Sequence, residues 1–166
     1  MSMYSSSIPV LTHFLNNLSS ILEKGEAFAK DKEIEGTVLT SARLAPDMFP
    51  MSVQVIIACD VAKGCGARLS GIEAPAFEDT ETTFEELQAR IEKTLAFLAT
   101  VPAEKVDGTE DKAISFKAGP YELNFTGEEY LHNFVLPNVF FHITTAYNIL
   151  RHNGVDIGKM DFLGGG

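Results

Sequence analysis

Residues 126–154, TGEEYLHNFVLPNVFFHITTAYNILRHNG, restrict what this chain can become more than any other stretch. Thr126 followed by Glu129 is a capping box, in which two side chains satisfy backbone donors at a helix N-terminus. Gly154 sits where a helix closes in a left-handed conformation, and Arg151 and His152 lie in the last turn, near the negative end of the dipole. Leu131, Phe134, Val135, Val139, His142, Ile143, Ala146, Ile149 and Leu150 recur at three- and four-residue spacing, the inner face of a core helix. Pro137 interrupts the pattern. It predicts a kink or restart and leaves the Asn133 carbonyl without its helical donor. A helix this long needs a matching apolar surface from the rest of the chain.

Three further stretches supply it. The first predicted helix runs from about Ile8 to Lys30, with Ser7 as N-cap and Pro9 in the first turn. A short helix over roughly 32–41 follows, then an ordered loop, because Pro46 and Pro50 forbid a helix through 42–50. The second long helix is expected from Pro50 to Leu69, stopping at Gly71, and the acidic residues 78–81 read as a solvated linker. The third starts at Thr82 or Thr83, each with a Glu three residues on, and ends near Ala99. Residues 113–117 and 121–125 alternate weakly about Gly119-Pro120, a small β-hairpin. The tail from Val155 reads as extended, partly packed on the bundle, with Gly164 to Gly166 frayed. These elements predict an all-α fold: a single domain over residues 1–166, a four-helix bundle with a β-hairpin before the last helix. The long second linker permits a crossover connection.

Charge and composition exclude several roles. The net charge is −10 with no cluster of Lys and Arg, which argues against a nucleic-acid partner. No run of 18 apolar residues marks a membrane span, and the N-terminus lacks the pattern of a signal peptide. Cys59 and Cys65 stand six apart in one predicted helix, about 9 Å of rise, too far for a disulfide. They read as free thiols packed in the core, and a cytoplasmic location follows.

Three polar residues fall on predicted apolar faces: Asp60 in the second long helix, and Asn138 and His142 one turn apart in the last. Such groups need partners when buried. Either they form one hydrogen-bonded network, or they line a pocket for a small ligand or a divalent metal. Tyr147 and Arg43 are further candidates for ligand contact. Phosphate-binding glycine loops, nucleotide fingerprints and nucleophile elbows are not found.

Residues 43–50, RLAPDMFP, followed by QVIIACDVAKG, and LPNVFFHITTAYNILRHNGVDIGKMDFLG at the end, resemble an uncharacterised bacterial domain-of-unknown-function family. That family lies in the DinB/YfiT-like superfamily of metal-dependent four-helix bundles. The resemblance spans nearly the whole chain. It implies the bundle fold and often a homodimer, an expectation that small Ala62, Gly64 and Gly66 support. Some superfamily members are thiol-dependent transferases or hydrolases. Their metal is held by one histidine on helix two and two, four residues apart, on helix four. Carried over, His142 matches the second helix-four histidine, the first falls on Asn138, and the helix-two ligand falls near Asp60. Two of three imidazoles are thus replaced, so the expected cofactor is none, or a weakly bound zinc, nickel or manganese. A non-catalytic interaction module with a buried polar network is the competing expectation.

Overall fold

The computed structural model describes residues 1–165. Four long helices carry the fold: α1 (Met3–Asp31), α3 (Met51–Ser70), α4 (Phe84–Ala99) and α7 (Leu136–His152). Short helices fill the connections: α2 (Gly36–Thr40), α5 (Ala103–Val106), α6 (Gly127–Glu129) and α8 (Lys159–Leu163). Strands β1 (Ile114–Ala118) and β2 (Tyr121–Phe125) pair antiparallel, with Ile114 opposite Phe125 and Ala118 opposite Tyr121. The expected bundle with a hairpin before the last helix is the observed one.

Helix neighbours place a crossover at the first connection and not at the second linker, which joins the adjacent pair α3 and α4. α1 packs on α4, α4 on α3, and α3 on α7, while α7 and α3 both touch α1. The first two long helices are therefore not the principal pair, and residues 32–50 cross the bundle between them. One core joins all four, from Leu11, Leu15, Leu18 and Leu22 of α1 to Val55, Cys59 and Leu69 of α3 and Val139, Ile143 and Ile149 of α7.

The helix ends follow local chemistry. Thr83 with Glu86, and Thr126 with Glu129, form capping boxes, and Gly71 (φ 76°) closes α3 in the left-handed region where a Cβ is disfavoured. α1 starts earlier than expected. Ser2 with Ser5 caps it, and Pro9 sits inside the helix. Ser7 is not the cap: its hydroxyl donates back to the Met3 carbonyl at 2.6 Å, a side chain-to-backbone bond inside the first turns. Ahead of Pro137 the last helix widens into a π-helical turn, Tyr130–Val135, where the Leu136 N–H reaches the Leu131 carbonyl. α7 then restarts with the proline in its first turn, where a missing N–H does no harm.

The tail is not simply extended. Residues 159–163 form α8, which lies on α1: Lys24 pairs with Asp161, Asn17 Nδ2 donates to the Phe162 carbonyl at 3.0 Å, and Phe162 packs on Phe14. Gly164 closes α8 at φ 80°, and Gly166 lies outside the described residues.

Candidate functional site

His142 projects from α7 toward the start of α3. Its Nδ1 lies 2.6 Å from Gln54 Oε1. The Gln54 amide nitrogen donates to the Phe49 carbonyl at 3.0 Å. That second bond decides the proton on the ring. An amide oxygen cannot donate to a carbonyl, so the amide nitrogen faces Phe49 and the oxygen faces His142. The imidazole therefore carries its proton on Nδ1, and Nε2 presents a lone pair. Nε2 has no hydrogen-bond partner among the described residues. Burial pushes the ring's pKa below its ordinary value, which favours the neutral form. Gln54 is buried and His142 half-buried. Phe141 meets the imidazole edge to face at 5.1 Å, and Asn138, half-buried, lies one turn back.

Asp60 belongs to a different cluster. Its Oδ1 accepts from Arg90 of α4 at 2.8 Å and pairs with Lys63 at 3.0 Å. Helical geometry explains the separation. Six residues beyond Gln54, Asp60 is rotated by about 240° and raised by about 9 Å. The residue of α3 that meets His142 is Gln54, and the expected convergence of Asp60 with Asn138 and His142 is replaced by two separate pairings.

Arg90 was hidden in the sequence. Its side chain is 1% exposed, and besides Asp60 it donates to Asp79 and Glu81 at 2.9 Å each and to the Glu78 carbonyl at 3.0 Å. Burial alone would lower its pKa, but hydrogen bonds to Glu81 and Asp79 and the charge of Asp60 raise it, so it stays a cation. The acidic linker is exposed at Glu78 and Asp79, yet Arg90 straps it to α4 through Asp79 and Glu81. The pattern gave a signal: a lone arginine beside the apolar stripe Leu87, Ile91, one linker away from a run of acids.

The remaining candidates are dispersed. Arg43 is exposed and donates to the Met48 carbonyl at 2.5 Å, bracing its own loop, and lines a shallow depression of about 430 Å³ with Val38, Pro50 and Ser52. Tyr147 is half-buried, its hydroxyl 3.4 Å from the Ile157 carbonyl. Cys59 and Cys65 are free and fully buried, and desolvation pushes both thiols up to about 12.

A family model described as a domain of unknown function, DUF1993, matches residues 3–163. The chain belongs to that family. The DUF1993 fold here is also similar to a solved structure, the crystal structure of a DinB family member protein from Shewanella denitrificans. The two share 41% identity over 96% of this chain and 90% of the other, with a TM-score of 0.86. Among curated proteins none matches.

The superfamily's metal can be tested against the donors that this DUF1993 chain offers. Around His142 they are one imidazole, whose Nδ1 is already bonded, and two neutral amides, Gln54 and Asn138. Among the described residues no three His, Cys, Asp or Glu side chains cluster to hold a metal ion. Zinc sites draw their protein ligands from imidazole, thiolate and carboxylate. This set does not fit a tightly held zinc.

Proposed function

We propose that this DUF1993 protein is a DinB-like bundle that binds a small polar ligand at His142 without a resident metal. The observation that carries the reading is the chain Phe49 carbonyl, Gln54 amide, His142 ring. It fixes the tautomer and leaves the Nε2 lone pair without a hydrogen-bond partner among the described residues, on a half-buried side chain one helical turn from Asn138. A neutral imidazole in that state accepts a hydrogen bond from a hydroxyl or amide N–H. Asn138 would add a second, two-way contact. Binding is favoured over catalysis because Nδ1 rests on a neutral amide, which orients the ring but does not stabilise an imidazolium as a carboxylate would.

Ring-nitrogen NMR during titration with phenol and acetamide tests this. Selective movement of the His142 Nε2 resonance, lost in Asn138→Leu, is the expected result. No movement at His142 at saturating probe would contradict it.

A further inference from the structure

The first turn of α3 carries a second polar centre on its opposite side. Ser52 stands two residues before Gln54, a rotation of about 200° around the helix axis, so the two side chains face apart. Ser52 is 8% exposed, and its hydroxyl has no hydrogen-bond partner among the described residues. It lines the depression of about 430 Å³ that also contains Arg43. A buried hydroxyl ordinarily has a partner. Its neighbours in the depression do: Thr40 donates to the Thr82 carbonyl at 2.5 Å, and Ser41 donates to the Thr37 carbonyl at 2.6 Å.

The backbone adds donors at the same end of the helix. Pro50 caps α3 and has no side chain able to bond its N-terminus. The Met51 N–H reaches the Ala42 carbonyl at 2.9 Å, and the Gln54 N–H reaches the Pro50 carbonyl at 3.1 Å. The N–H groups of Ser52 and Val53 find no acceptor among the described residues. They stand at the positive end of a 20-residue helix. Arg43 uses one of its five N–H donors on the Met48 carbonyl and pairs with no carboxylate among the described residues.

Among the described residues none that lines the depression is acidic, although the chain carries −10. Asp47, in the same loop as Arg43, is exposed and does not line it. Glu81 and Glu86, on either side of Thr82 in sequence, are bonded to Arg90 and to the Thr82 and Thr83 N–H groups. The depression therefore presents donors and one cation, with exposed Val38 and Pro50 as an apolar wall. Several acceptor oxygens on one negative group match that set, as a phosphate does at a helix N-terminus beside a guanidinium. We propose that this depression binds the phosphate group of a small phosphate ester through the Ser52 hydroxyl, the Ser52 and Val53 N–H groups and Arg43. The site is separate from His142 and does not depend on what binds there.

Amide-resolved NMR of the full chain at low salt, titrated with phenyl phosphate and separately with inorganic phosphate, tests it. The Ser52 and Val53 amide resonances should move saturably with both. Phenyl phosphate should bind tighter, because Val38 and Pro50 would meet its ring. Arg43→Gln should weaken binding about tenfold or more, and Ser52→Ala about threefold to tenfold. His142→Gln, or saturating phenol, should leave it unchanged. Ser52→Ala removes one oxygen without touching the Arg43 brace, so it reads the site even if Arg43→Gln loosens the loop. No saturable movement at Ser52 and Val53 would overturn the proposal, as would full affinity in both variants. Equal affinity for the two probes would overturn the ester assignment. Failure of phenol or acetamide to bind at His142 would leave this result as it stands.

Discussion

The His142 Nδ1–H donates to Gln54 Oε1 across 2.6 Å, joining the middle of α7 to the first turn of α3. This single bond changes how the polar centre of the bundle is understood. The residue opposite the helix-four histidine is a neutral amide, itself anchored by the Phe49 carbonyl. The carboxylate six residues later serves a separate purpose, holding Arg90 and through it the linker.

Removing either member of the pair should destabilise the protein. His142→Ala leaves the buried Gln54 oxygen without a donor, and Gln54→Ala leaves the His142 N–H and the Phe49 carbonyl unmatched. Each should cost about 1–3 kcal/mol in chemical denaturation. The double variant should cost less than the sum, since the two act as one unit. Strict additivity would show that the bond contributes nothing.

Acid should weaken the fold through His142. Its folded pKa is lowered by burial, so the unfolded chain takes up the proton first. Stability is then fully retained above the unfolded value, about 6.5, and is lost as pH falls below it toward the folded value. The denaturation free energy of His142→Gln should decline less steeply than wild type over that window. Equal slopes would contradict a depressed pKa.

Arg90 should be the costliest polar side chain to remove. Arg90→Ala leaves the Glu81 carboxylate, whose side chain is 12% exposed, without its cation, and should cost about 3 kcal/mol. Asp79 is 62% exposed, and Asp79→Asn should cost less than about 1 kcal/mol. Thermal melts rank the two, and a larger loss for Asp79→Asn would show that the strap is held from its exposed end.

Both thiols should be silent in the native protein. Cys59 and Cys65 are buried and raised to about 12, so almost no thiolate exists near neutral pH. A chromogenic disulfide reagent should react only after denaturant is added. Rapid labelling of either cysteine without unfolding would contradict the buried assignment.

The sequence made the bundle legible because its signals are local. Capping boxes at Thr83 and Thr126, Gly71 at the end of α3 and the proline at 137 each act within one turn. The site was harder, because it depends on helix rotation. Asp60 falls on a predicted apolar face of the second long helix, but it lies with Val53 and Ile57 on the outer side of α3, and the buried face runs through Gln54, Val55, Ala58, Cys59 and Ala62. An apolar stripe shifted by one or two residues looks equally periodic, and only the partner helix chooses between them. Gln54 stood in the segment that carries the family resemblance, yet a neutral amide gives no chemical alarm. Arg90 lies 9 and 11 residues from Glu81 and Asp79 but 30 from Asp60, so which carboxylates it meets depends on the course of the linker and on the packing of α4 against α3.

Zinc calorimetry tests the central claim most directly, that the site lies at Gln54, Asn138 and His142 and lacks the ligands for a tightly held metal. The unmodified protein should show weak or no zinc binding. Gln54→His combined with Asn138→His should bind zinc tightly, because imidazoles would then be presented from both helices, one at the residue bonded to His142 and one a turn before it. Asp60→His combined with Asn138→His should not, since residue 60 faces Arg90. Tight zinc binding by the unmodified chain, or a gain with the Asp60 pair and none with the Gln54 pair, would contradict the account.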